Sequence, residues 1–168
     1  DPHVLIPRPE TETLLECVLN HYTDRTVAWR FLEIGCGSGA LLISLLREFP
    51  HATGMGLDIS REAIAISTLN AQKTGTAPRI DWLESDGVHA LKQPWPCHAI
   101  VANLPYVAQA DIPTLQPEIA LYEPHLALDG GVDGLQIIRQ LVPSAMQHLE
   151  PGGLLALEID SRQRQEVI

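Results

Sequence analysis

The stretch Phe31-Leu32-Glu33-Ile34-Gly35-Cys36-Gly37-Ser38-Gly39-Ala40-Leu41-Leu42 decides the fold. A short run of strand character meets three alternating glycines. A strongly apolar helical run, Ala40–Phe49, follows at once and reads as buried. Glycines permit a tight turn and let backbone pass close to a ligand. The pattern is G-x-G-x-G, which differs from the G-x-G-x-x-G spacing of dinucleotide sites.

The same alternation continues outward in both directions. Upstream, Glu10–Tyr22 reads as a helix with Leu14, Leu15, Val18 and Leu19 on one face. Before it, Val4-Leu5-Ile6-Pro7-Arg8-Pro9 is expected to be extended, because proline biases its predecessor away from helix. Downstream, Thr53–Ile59 reads as a strand despite two glycines. Ser60 caps a helix to about Lys73, with Glu62 in its first turn. Arg79–Leu83 and His98–Ala102 read as the third and fourth strands, Leu135–Leu149 as a helix, and Gly153–Ile159 as a fifth strand. Strands alternating with helices predict an α/β fold, a mostly parallel sheet with helices on both faces. In such sheets ligands bind beyond the carboxyl ends of the strands. That singles out Glu33–Gly39, Asp58, Asp86, Asn103–Tyr106 and Glu158–Asp160.

Composition narrows the class. The 168 residues suit one domain, and 45% hydrophobic with 19% charged residues suits a packed core rather than a disordered chain. No apolar run is long enough to span a membrane, and Asp1-Pro2-His3 does not open a signal peptide. The 11 basic and 21 acidic residues give a net charge of −10, unfavourable for non-specific contact with phosphate backbones. The three cysteines, Cys17, Cys36 and Cys97, form no metal-binding or disulfide pattern. They fit a reducing cytoplasm. The histidines show no ligand spacing, and His98 and His148 read as structural.

Three strand ends carry candidate chemistry. Asp58 lies about 20 residues beyond the glycine loop, where an acid accepts ribose hydroxyls; its plain alternative is an acid capping the next helix. Asp86 either accepts from an adenine amino group or is a turn aspartate. Asn103-Leu104-Pro105-Tyr106 follows the fourth strand. A planar NH2 is conjugated and weakly nucleophilic. The Asn103 carboxamide oxygen and the Leu104 carbonyl can each accept one of its N–H groups, fixing its orientation. Pro105 holds Leu104 extended, which aims that carbonyl, and Tyr106 can pack on the planar group.

These residues together resemble the Rossmann-like class I S-adenosylmethionine-dependent methyltransferases, in which an acid opens the glycine loop as Glu33 does here. The resemblance implies a cofactor site of Glu33, Gly35, Cys36, Gly37, Ser38, Gly39, Asp58, Asp86 and Gly87, with Asn103 shared between cofactor and acceptor. Cys36 reads as a spacer in the loop. Asn103-Leu104-Pro105-Tyr106 is similar to the N-P-P-Y signature of methyltransferases that modify adenine N6 or a glutamine amide, with Leu104 in place of the usual proline. Gly87 stands where a larger side chain is usual.

The flanking segments decide between those two acceptors. Val4-Leu5-Ile6-Pro7-Arg8-Pro9-Glu10-Thr11-Glu12, Glu123-Pro124-His125-Leu126-Ala127-Leu128 and Gly130-Gly131-Val132-Asp133-Gly134-Leu135 resemble the release-factor glutamine methyltransferases, often called HemK or PrmC. As plain structure, the last of these is turn and helix-cap chemistry. The resemblance covers nearly the whole chain and implies one catalytic domain over 1–168, opened by segment 1–22. It also implies a sheet truncated after its fifth strand, without the family's N-terminal helical domain. The implied reaction is methyl transfer from S-adenosylmethionine to the glutamine of the Gly-Gly-Gln loop in class-1 peptide-chain release factors. Asn103, Leu104, Pro105 and Tyr106 would form the acceptor site. No metal, membrane or stable nucleic-acid partner is expected. Three alternatives remain: adenine-N6 methylation of RNA or DNA, glutamine methylation of a ribosomal protein, and a cofactor-binding module without catalysis.

Overall fold

The computed structural model describes residues 4–6 and 8–167, with side chains left aside at 9–10 and 121–122. Pro7 and Asp1-Pro2-His3, on which parts of the opening-segment expectation fell, lie outside the described residues. Helix α1 covers Pro9–His21 and starts where Arg8 is extended (φ −98°, ψ 157°) with a proline in the first turn. Strand β1 (Arg30–Ile34) leads through the glycine turn into α2 (Ala40–Glu48). Strand β2 (Thr53–Asp58) is followed by α3 (Arg61–Thr74), which Ser60 caps by accepting from the Ala63 N–H at 3.2 Å. Strands β3 (Ile80–Glu84) and β4 (Cys97–Ala102) follow, then a short α4 (Pro117–Tyr122) and α5 (Gln136–Ala145). Strand β5 (Leu149–Leu157) and a short α6 (Arg164–Val167) complete the described chain.

The five strands lie in the order β3-β2-β1-β4-β5, and every pairing is parallel. Side chains alternate across β1 and β4, so each strand feeds two cores. Phe31, Ala99 and Val101 face the cluster built on α1 and α2, with Leu14, Val18, Leu42, Leu45 and Leu46. Leu32, Ile34, Ile100 and Ala102 face the cluster built on α5, with Leu135, Ile138 and Leu141. Helices therefore cover both faces, as the alternation predicts.

Two boundaries differ from expectation. Helix α5 stops at Ala145, just past Pro143, which has no N–H for the helical ladder; a tighter turn, Met146–His148, carries the chain on. Leu149, read as the helix end, already pairs with Cys97 in the sheet. The strand then bulges, because the next register pair is Ala99 with Leu154. Pro151-Gly152-Gly153 occupies the bulge and hides the first half of β5 from a sequence reading.

Candidate functional site

The strand order reverses between β1 and β4, both of which neighbour one another while β2 and β5 lie outside them. A cavity of about 350 Å³ opens at that reversal, beyond the carboxyl ends of the strands. Its floor is the glycine loop. Gly35, Gly37 and Gly39 all have positive φ (71°, 51° and 73°), a conformation that side chains disfavour. The Gly35 and Cys36 N–H groups donate to the Leu57 carbonyl at 2.8 and 3.0 Å, which ties the loop to β2. From α3, the Asn70 amide holds the Ser38 carbonyl at 3.0 Å.

Gly35, Cys36, Gly37 and Ser38 line the cavity; Gly39 stands apart from its lining. A Cβ on Gly39 would come within 2.7 Å of the Trp82 ring and 2.8 Å of Ser67. Its position serves close packing of the loop against α3 and β3. Cys36 is buried, and burial pushes its thiol far up, with Glu33 and Asp58 acting in the same direction. It is no thiolate nucleophile.

Among the described residues, Glu33, Asp58 and Asp86 bring carboxyl groups to the cavity lining. Asp58 ties the glycine loop to the residue that caps α3. One oxygen accepts from the Gly37 N–H at 2.8 Å, the other from the Ser60 N–H at 2.9 Å. Each oxygen has a second lone pair for a ligand. Glu33 is 5% exposed and accepts from the Leu42 N–H at 3.1 Å. Burial drives its carboxyl up to about 8; the Leu42 hydrogen bond opposes this, and Asp58 adds to it. Asp86 and Gly87 sit past the end of β3 with Ser85. Among the described residues lining the cavity, none is basic.

The segment after β4, expected from the sequence to be an acceptor loop, forms the opposite wall. Asn103, Leu104 and Pro105 line the cavity, and a Cβ on Gly35 would lie 3.3 Å from Leu104 and 3.7 Å from the Asn103 carbonyl oxygen. Glycine loop and acceptor loop are thus in near contact. Tyr106 is outside the lining; its hydroxyl donates to Glu158 at 3.1 Å. The Tyr106 carbonyl accepts from Gln163 at 2.9 Å, and a Cβ on Gly134 would come within 2.2 Å of it. The Gly130–Leu135 turn, stabilised by Asp133 accepting from the Leu135 N–H at 3.1 Å, therefore braces the acceptor loop from behind.

Several contributors escaped the sequence reading. Val4, Leu5 and Thr11 from the opening segment, and Pro124, Leu126 and Ala127 from the connection after α4, also line the cavity. Arg8 and Glu123 form an ion pair that joins these two segments. Thr11 accepts from the Asn103 amide at 3.1 Å and donates to Glu158 at 3.1 Å. The usable signal was helical spacing: Thr11 precedes the inward-facing Leu14 and Val18 by one and two turns, a hydroxyl heading an apolar face. His98 and His148 behave as structural residues. Their Nδ1 atoms accept from the N–H groups of Arg30 (3.0 Å) and Trp95 (2.9 Å), and burial lowers both pKa values.

Comparison with known proteins agrees with this geometry. Residues 31–121, more than half of the chain, match the family described as a methyltransferase domain. A release factor glutamine methyltransferase of Caulobacter vibrioides is 41% identical over 98% of this chain and 56% of its own length. One of Moorella thermoacetica is 43% identical over 99% of this chain and 58% of its own length. The chain thus spans a little over half the length of the curated relatives it matches. Among solved structures, a ribosomal protein L11 methylase from Lactobacillus delbrueckii subsp. bulgaricus superposes with a TM-score of 0.67. It covers 95% of this chain and 66% of its own at 19% identity. An RNA methyltransferase from Salinibacter ruber, in complex with S-adenosyl-L-homocysteine, gives 0.59 over 94% of this chain and 79% of its own at 18% identity. These two support the fold. With its family model matched across the glycine loop and the acceptor loop, this chain belongs to the methyltransferase domain family, and the curated relatives it resembles are release factor glutamine methyltransferases.

Proposed function

We propose that this chain transfers a methyl group from S-adenosylmethionine to the side-chain amide nitrogen of a protein glutamine. The acceptor we infer is the Gly-Gly-Gln glutamine of a class-1 peptide-chain release factor, which would place the work in the cytoplasm. The carrying observation is a cavity whose lining, among the described residues, holds Glu33, Asp58 and Asp86 and no basic side chain, and which opens onto Asn103-Leu104-Pro105. Such a lining opposes a phosphate-bearing ligand and suits one that carries positive charge. Asp58 has lone pairs for ribose hydroxyls and Asp86 for an amino group, while Glu33, which keeps its proton near neutral pH in the ligand-free fold, tethers the start of α2 beneath the loop. Gly35, Cys36, Gly37 and Ser38 would pass beneath the ligand as backbone, and Gly87, with positive φ, lets the turn after Asp86 pack against Leu141.

Bound there, S-adenosylmethionine supplies an electrophilic methyl on sulfur. The chain's own residues hold the acceptor. The Asn103 carboxamide oxygen and the Leu104 carbonyl would each take one N–H of the glutamine amide, turning its nitrogen toward the methyl. They also stabilise positive charge developing on that nitrogen. Val4, Leu5, Leu126 and Ala127 give the cavity an apolar stretch of wall. Tyr106, through Glu158, supports this wall from outside the lining.

The acceptor is tested by mixing purified protein and S-adenosylmethionine with a release factor, ribosomal proteins and structured RNA, followed by peptide and nucleoside mass spectrometry. A one-methyl gain on the Gly-Gly-Gln glutamine is expected. A methyl on a ribosomal-protein glutamine or on adenine would replace the inferred acceptor. Cofactor binding without transfer to any of the three would favour a non-catalytic module.

A further inference from the structure

We propose that Thr11 and Glu158 are positioning residues that decide which end of the Asn103 carboxamide faces the cavity. The inference rests on the reading of Asn103 as the group that receives the acceptor amide. A carboxamide is nearly symmetric in shape, so its direction is set by hydrogen-bond partners rather than by fit. The site needs the oxygen inward. With the NH2 inward, donor would meet donor and the acceptor amide would be repelled.

The polarity of the chain of hydrogen bonds supplies that choice. The Asn103 Nδ2 donates to Thr11 Oγ1 at 3.1 Å, and Thr11 Oγ1 donates to Glu158 Oε2 at 3.1 Å. A hydroxyl has one proton, and Thr11 has given it to a carboxylate that has none to return. Thr11 therefore offers Asn103 lone pairs alone, and the NH2 end of the carboxamide is the end that can answer. The oxygen is left to turn the other way. Glu158 is itself fixed. Its second carboxylate oxygen accepts from the Tyr106 hydroxyl at 3.1 Å, and its N–H donates to the Ala102 carbonyl at 3.0 Å, at the residue before Asn103. Thr11 lines the cavity, whereas Glu158 is outside the lining and acts through Thr11.

The relay joins three places the chain keeps far apart: the first turn of α1, the end of β4 and the end of β5. It also gives Tyr106 a part distinct from stacking, as the second donor that pins the carboxylate.

The test has two arms on the same chain. In the first, the Asn103 side-chain NH2 resonances are identified by their loss in Asn103→Ala. Wild type is expected to show one well-dispersed pair with a through-space contact to the Thr11 methyl. Glu158→Gln lets Thr11 keep or return its proton, and that contact should weaken or split. An unchanged contact in Glu158→Gln, or a freely rotating carboxamide in wild type, overturns the proposal. In the second arm, Thr11→Val should lower kcat by about 10- to 100-fold with cofactor affinity retained. Thr11→Ser, which keeps the hydroxyl, should recover most of the rate. An undiminished kcat in Thr11→Val overturns the relay. If wild type leaves glutamine unmodified, that failure belongs to the functional reading, and the resonance arm still decides the relay.

Discussion

Glu33 and Asn103 show how one side chain's surroundings set its chemistry. Glu33 lies beneath the glycine loop, and its buried carboxyl titrates near 8 rather than at its ordinary 4.5. Between those two values the folded state holds a proton that the unfolded chain has released. The contribution of Glu33 to stability must therefore fall as pH rises through that window and level off above it. Glu33→Gln keeps an oxygen for the Leu42 N–H and removes the titration. Melting temperatures of ligand-free protein between about pH 5 and pH 9 should decline more in wild type than in this variant. For Asn103→Ala, we expect a loss of about 100-fold or more in methyl transfer and a much smaller loss of cofactor affinity, read by turnover beside calorimetry. Wild-type turnover in that variant would remove Asn103 from the mechanism. Both residues were legible in the sequence, because each sits at a strand end with a distinctive neighbour. Thr11 and Glu158 were harder to read. Glu158 stood out as a strand-end position without a partner, and Thr11 is given meaning solely by the meeting of α1 with the sheet.

At the scale of elements, β2 explains why two glycines did not break a strand. A Cβ at Gly54 would come within 2.7 Å of Leu42, and one at Gly56 within 2.2 Å of the Trp82 ring. The glycines let α2 and Trp82 press directly on the sheet, below the loop that Asp58 holds. Gly56→Ala should cost about 1–3 kcal/mol, measured by urea unfolding, since a rigid ring must move to admit one methyl. Neutral behaviour would show that Trp82 can yield. The helix–strand alternation made seven of the main elements, α1 to α3 and β1 to β4, readable to within about two residues. Strand β5 was half hidden, because its bulge places proline and glycines inside a strand. The 107–129 connection was not readable as structure, whereas the Gly130–Leu135 turn that follows it was. The connection's short turns and α4 have no long period, and they are set by tertiary contacts such as the Val107 N–H donating to the Leu128 carbonyl.

Across the whole molecule, the cavity is closed by segments from two distant parts of the chain. The Arg8–Glu123 ion pair fastens the opening segment to the connection that supplies Pro124, Leu126 and Ala127. Glu123 is the more buried partner, so removing Arg8 strands a carboxylate. Arg8→Ala should speed amide hydrogen exchange in residues 4–6 and 123–128 while exchange in β1 and β4 stays unchanged. Equal exchange in both proteins would mean that the pair does not hold these segments together.

The order of the sheet has a kinetic consequence. Residues 30–84 form a run of neighbour-to-neighbour pairings, β1 with β2 and β2 with β3. The β1–β4 pairing, Phe31 beside Ala99, skips two strands and must close a long loop before it is rewarded. The binding crevice is made by that late pairing. A refolding chain should therefore regain the helical circular dichroism of α2 and α3 before it can capture cofactor, and stopped-flow traces of the two signals would separate. A molecule caught partway would already show helix and still have nowhere to bind.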